Sequence, residues 1–379
     1  MRSRSAVSPR RRLVALCICV AVGLIGCGSA VATPTPSPSP TPSPVPTPTP
    51  SPAITAASDL KAPLRDLSHP RFFGTAVLMP WLDIEQEYTD GTAEQFDSIT
   101  PENAMTWAVV EPTEGELDWS WPDAVVEWAG TRGIAVRGFP LVWDQQLPAW
   151  LTNGTFDDAT LETMLQDHVT ALVSRYAGQV VSWDVVTDPF NSDGSLRRTI
   201  WEKAIGPDYI AKAFLWAHAA DPKAKLYLND SDVGLDAKSD AVYELVKTLR
   251  RQGVPIDGVA MEAHLDATVR TSYPAAVVSN LQRFAALGVD VVISQLDVRV
   301  HTPLLEGELD RQTNYYVAMI SACFSVPGCS GVTVWEWSDR YSWVPREIPG
   351  EGAADLWDSN FNPKKVVDAV KQAILASRT

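Results

Sequence analysis

Lysine and arginine are in short supply: 31 of them face 46 aspartates and glutamates, which leaves a net charge of −15. Nucleic-acid binding needs clusters of basic side chains, so this balance argues against such a partner. Cysteine is scarcer, with five residues, and none has the spacing of a metal-ligand set. Neither a G-x-G-x-x-G turn nor a Walker-type loop occurs, so no phosphate-bearing cofactor is implied. The apolar run from Leu13 to Ile25 is about 13 residues long, too short for a bilayer span of roughly 20. What the chain has in excess is tryptophan, 14 residues. Most tryptophans serve cores, but flat indole faces also stack on sugar rings. With 45% hydrophobic residues, a sizeable core can form.

The N-terminus reads as a targeting segment. Arg2, Arg4, Arg10, Arg11 and Arg12 precede the apolar run, with no acid among them. The run ends in Leu24-Ile25-Gly26-Cys27, which resembles a bacterial lipobox and implies cleavage after residue 26 and lipidation of Cys27. A plain secretory leader cut after Ala30 or Ala32 is the alternative. Cleavage before Cys27 removes all five arginines and leaves 26 basic against 46 acidic side chains, a net charge of −20. From Thr33 to Pro52 every second residue is proline. Such a stretch lacks ladder donors and adopts polyproline II, reaching roughly 60 Å. Residues 27–67 are therefore expected to be an anchor and spacer, and the protein a cell-surface lipoprotein or a secreted one. The membrane would be touched through the lipid alone. Cys323 and Cys329 flank Pro327-Gly328 and can close a small disulfide loop in an oxidising compartment.

From about residue 68 to 379, apolar runs alternate with amphipathic stretches. Strands are expected at 72–77, 98–100, 134–142, 180–186, 225–229, 258–261, 289–296 and 332–335. Helices are expected at 159–176, 207–219, 238–252, 275–287, 311–324 and 363–375, with Asp158 opening the first and Gly253 and Gly288 closing two others. Eight such units predict an α/β fold, a single (β/α)8 barrel, with an open doubly wound sheet as the alternative. Barrel chemistry sits at the carboxyl ends of the strands. There the chain places Glu102-Asn103, Asp144, Thr187-Asp188, Asp230 and Asp232, Glu262 and His264, Gln295 and Asp297, and Glu336 with Asp339. Glu336 suggests no role by itself.

Seven stretches in order carry a specific likeness: residues 100–107 (TPENAMTW), 141–150 (LVWDQQLPAW), 183–188 (WDVVTD), 226–230 (LYLND), 258–265 (GVAMEAHL), 293–297 (ISQLD) and 329–335 (CSGVTVW), followed by Asp339, Ser342 and Trp343. Together they resemble glycoside hydrolase family 10, whose usual activity is endo-β-1,4-xylanase. The resemblance implies the (β/α)8 barrel and a retaining mechanism with two glutamates roughly 5–5.5 Å apart. It maps the acid/base onto Asp188 and the nucleophile onto Gln295. Asp188 keeps a titratable carboxyl one methylene shorter. An amide at 295 cannot form a glycosyl ester. The resemblance also sets Thr106 where the family has Lys, Asp144 where it has His, Thr187 where it has Asn, and Glu262 where it has Gln. It assigns sugar contacts to Glu102, Asn103, Trp143, Asp144, Gln146, Trp150, Thr187, His264, Asp297, Trp335 and Trp343.

Two readings follow. One is a surface protein that binds β-1,4-xylan or a related plant polysaccharide with its hydrolytic machinery impaired. The other is an active glycosidase that has relocated its chemistry to Asp188 with Glu262 or Asp144.

Overall fold

A computed structural model describes residues 59–231, 234–270 and 274–378. The leader, Cys27, the proline-rich run and Asp232 lie outside the described residues. Eight parallel strands form the sheet: β1 (Phe72–Val77), β2 (Ser98–Pro101), β3 (Ala135–Gly138), β4 (Val180–Thr187), β5 (Lys225–Ser231), β6 (Gly258–Asp266), β7 (Asp290–His301) and β8 (Cys329–Val334). They pair in sequence order, β8 returns to β1, and the sheet is a closed barrel. A two-residue strand, β9 (Glu351–Gly352), runs antiparallel to the end of β7. The open-sheet alternative is thereby excluded.

The strands form where apolar runs can be buried on both faces, as parallel strands under helices must be. In β7 every residue from Val291 to Val298 is buried. The helix Asp158–Arg175 buries Leu165, His168, Val169, Leu172 and Val173, one stripe at helical spacing. Its cap is Asp157, whose carboxylate accepts from Thr160 N at 2.7 Å, one residue before the expected Asp158. The helix Ala237–Arg251 is capped by Asp236, and Gly253 follows its end at φ 74°. The expected strand 134–142 is shorter because Pro140 has no N–H for the ladder. Val142 rejoins as an isolated bridge to Val186. By contrast, β6 and β7 run five residues past their expected ends and stay paired to Asp266 and Arg299.

Three further features hold the barrel. Arg137 on β3 and Asp184 on β4 form an ion pair buried to 3% and 1% exposure. The Arg137 guanidinium also lies 4.4 Å from the Tyr227 ring centroid. Across the closure, Arg71 Nε donates to Cys329 O at 3.0 Å, Lys371 Nζ to Leu60 O at 3.1 Å, and Arg378 Nη2 to Asp66 O at 2.9 Å. The Cys323–Cys329 disulfide is formed, tying the end of the helix Glu308–Ser325 to the first residue of β8.

Candidate active site

At the carboxyl ends of the strands lies a cavity of about 450 Å³. Glu102, Trp143, Gln146, Asp188, Glu262, His264, Gln295, Trp335 and Trp343 line it. All nine were singled out from the sequence. Phe139, Gln145, Arg346 and Glu347 complete the wall. Phe139 meets Trp335 edge-on at 5.2 Å and packs beside Trp143 at 5.9 Å between ring centroids.

The floor is one hydrogen-bonded chain across β6 and β7. Their register sets Glu262 opposite Gln295 and His264 opposite Asp297. Asp297 Oδ2 pairs with His264 Nδ1 at 2.6 Å and accepts from Trp343 Nε1 at 2.7 Å. His264 Nε2 lies 2.9 Å from Gln295 Oε1, and Gln295 Nε2 donates to Glu262 Oε1 at 2.8 Å. The same Glu262 oxygen accepts from Asn229 Nδ2 at 2.6 Å, and Asn229 Oδ1 accepts from Ser294 Oγ at 2.9 Å. Only one orientation of the Gln295 amide satisfies both neighbours: its oxygen meets an imidazole donor and its nitrogen a carboxyl oxygen.

Burial pushes the Glu262 carboxyl up to about 8, and the nearby Asp188 carboxylate adds to the shift. For His264 burial works against the charge, yet the Asp297 carboxylate, together with Glu262 and Gln295, outweighs it and raises the imidazole to about 9. At neutral pH the imidazole is therefore a cation and donates at both nitrogens. Burial also lifts Glu102 to about 7.

The remaining acids are engaged elsewhere. Asp188, at φ 51°, has Oδ1 3.7 Å from Lys238 Nζ, and the same ammonium lies 2.6 Å from Asp230. Asp144 does not line the cavity. Its Oδ2 sits 3.5 Å from Arg197, whose other nitrogen donates to the Asp188 carbonyl at 3.3 Å. Asn103 spends its amide on Met79, donating to the carbonyl at 2.9 Å and accepting from the N–H at 3.2 Å. Trp150 donates to Glu111 O at 2.9 Å and packs on Trp107 and Phe156. Thr187 is buried beneath the rim, its hydroxyl without a partner among the described residues. These last four are placed around the cavity rather than in its wall.

Sequence reading missed Lys238 and Arg197. Lys238 lies in the first turn of the helix Ala237–Arg251, where a lysine usually points to water, yet only 7% of its side chain is exposed. Arg197 stands 53 residues after Asp144, with no local signal linking the two.

A family model described as glycosyl hydrolase family 10 matches residues 63–373. Among known proteins, an endo-1,4-beta-xylanase from Agaricus bisporus is 44% identical over 302 residues, covering 79% of this chain and 90% of its own. Endo-1,4-beta-xylanase A from Phanerodontia chrysosporium is 40% identical over 322 residues, covering 83% and 78%. Among solved structures, native xylanase 10B from Thermotoga maritima superposes with a TM-score of 0.80 at 34% identity, covering 83% of this chain and 98% of that one. Xylanase 10B from Thermotoga petrophila in complex with xylobiose gives 0.80 and 34%, covering 83% and 97%. The match spans the whole barrel and its rim, and the chain belongs to glycosyl hydrolase family 10.

Proposed function

We propose that the cavity binds β-1,4-xylan or a related plant polysaccharide, and that the usual two-glutamate retaining hydrolysis is impaired in this chain. The observation that carries the reading is Gln295. Its side chain faces the cavity as a neutral amide held from both sides, by His264 and by Glu262. An amide forms no glycosyl ester and lends no negative charge to an oxocarbenium ion. Asp188, the other position implied by family resemblance, faces Lys238, and Asp144 is turned to Arg197. Binding has better support. Three tryptophans line the cavity, and the buried Trp143 Nε1 has no acceptor among the described residues. A sugar hydroxyl would satisfy it. Relatives named as xylanases, one of them solved with xylobiose, point to the same ligand class.

A second reading is favoured by one observation. Glu262 is raised to about 8 next to Asp188, and both line the same cavity. Two carboxyls with separated affinities for protons can divide the roles of acid and base. In that reading Glu262 donates the proton and Asp188 activates water.

Reducing-sugar release from xylan and from an aryl xylobioside, measured beside a pulldown on insoluble xylan, separates the readings. Retention without release is the expected result. Release by the natural chain, abolished by Glu262→Gln or Asp188→Asn, would establish the relocated pair instead.

Anchoring through a lipid on Cys27, with the proline-rich run as spacer, is part of the same proposal. Metabolic labelling with palmitate that survives Cys27→Ala would remove it.

A further inference from the structure

Glu336 is an unusual residue for its place. It stands two residues past the end of β8, is fully buried, and has φ 62°, a conformation that disfavours any residue but glycine. A buried carboxyl on a strained backbone has to be held by its surroundings. One side is clear: Tyr88, from the helix Gln86–Gln95, donates its hydroxyl to Glu336 Oε2 at 2.7 Å. The other side faces Glu102, close enough that each carboxyl acts on the other's charge. Glu102 Oε2 and Glu336 Oε1 are both buried, and among the described residues neither has a hydrogen-bond donor. Two carboxyl groups in contact without a donor between them repel unless a proton lies there.

We propose that Glu336 is a positioning residue that keeps a proton at neutral pH and donates it to Glu102, fixing that carboxylate as a hydroxyl acceptor in the cavity wall. The assignment rests on the sugar-cleft reading for what Glu102 contacts, but not for where the proton sits. The surroundings divide the two acids unequally. Glu102 is faced by the Arg346 guanidinium from the helix Val344–Glu347 and by the His264 imidazolium from β6, against the Asp297 carboxylate from β7. Glu336 is faced by Glu102, Tyr88 and the buried Asp355, with no cation among them. Burial raises both, and Glu336 stands well above the usual carboxylate range while Glu102 reaches about 7. Glu102 therefore gives up its proton first and Glu336 keeps the shared one. As pH falls through about 7, Glu102 is neutralised and becomes a weaker acceptor for a sugar hydroxyl.

The test uses the full chain and two variants. Glu336→Gln keeps a donor in place, and Glu336→Gly suits the backbone and removes the donor. Infrared difference spectra at pH 8, native minus Glu336→Gln, need no ligand. They are expected to show the carbonyl band of a neutral carboxylic acid. Carboxylate bands in that difference would overturn the assignment, whether or not the cavity binds sugar. Affinity for xylotetraose is the second arm. It is expected to be higher at pH 8 than at pH 5.5 in the native chain, retained at pH 8 by Glu336→Gln, and about tenfold weaker in Glu336→Gly. Glu336→Gly that is folded by thermal melting yet binds as the native chain does at both pH values would refute the positioning role. Failure of the native chain to bind any xylo-oligosaccharide would instead sink the sugar-cleft reading and leave the infrared arm to decide the proton.

Discussion

If the amide at 295 is what silences hydrolysis, the simplest repair is Gln295→Glu, and the structure says this change alone is insufficient. Gln295 Nε2 now donates to Glu262 Oε1 at 2.8 Å. A carboxylate in its place would face, at the same distance, the Glu262 carboxyl already raised to about 8, and ionising both would set two like charges against each other. At an effective dielectric of about 20, that repulsion is about 6 kcal/mol, or roughly four pKa units. The pair would hold a proton through neutral pH, and the nucleophile would share it. The double exchange Gln295→Glu with Glu262→Gln removes the conflict. The amide at 262 can donate to the new carboxylate and still accept from Asn229 Nδ2, while His264 Nε2 supplies the second donor. The expected order of aryl xylobioside hydrolysis at pH 6 is native, then Gln295→Glu, then the double variant, with a gap of about tenfold or more between the last two. Mass spectrometry of the double variant with a slow fluorinated substrate should find one glycosyl unit on the peptide carrying residue 295. Equal rates for the single and double variants across pH 5–8 would refute the reasoning, because the Glu262 contact would then be irrelevant. Adding Asp188→Glu should raise the rate further, on the order of 100-fold if the shorter carboxyl stands about 1 Å short of the leaving oxygen.

Stability should fall as pH rises from about 5 to 9. Folding raises Glu262, Glu102 and His264 to about 8, 7 and 9, so the folded state holds more protons than the unfolded one in this window. The melting temperature should drop across it, and Glu262→Gln should flatten part of the slope; a melting temperature that rises with pH would contradict the assignment. Arg137→Met leaves Asp184 buried without its partner and should cost about 3–5 kcal/mol in denaturant unfolding, while Arg137→Met with Asp184→Leu should recover most of it. Replacing Cys323 and Cys329 by alanine opens a loop with a sequence separation of six and should cost about 2 kcal/mol, read as a lower denaturant midpoint with unchanged ligand affinity.

The barrel was legible because its strands are apolar runs bounded by breakers and its helices keep one buried stripe. Strand ends were less so. Pro140 cuts β3 short, whereas β6 and β7 continue through Glu262, His264, Gln295 and Asp297, polar residues that a hydrophobic pattern reads as the start of a loop. The cavity wall could be read from family resemblance, but the allegiance of each carboxyl could not. Asp144 turns to Arg197 and Asp188 faces Lys238, and both choices are tertiary. Glu336 could be placed at the rim but its role could not be read, since a positive φ at a glutamate and a contact with Tyr88, 248 positions away, exist only in the folded chain.

The ring is sealed by contacts between its two ends, from Arg71 to Cys329 and from Lys371 to Leu60. Where a circle is joined matters little to a circle. A circular permutant that links the helix Lys365–Ala376 to the turn Asp59–Lys61, and begins in the surface loop before the helix Ser120–Gly130, keeps every strand neighbour. It should therefore fold, whereas a chain stopped before β8 leaves β1 paired to β2 alone, with an open edge exposed to other copies of itself.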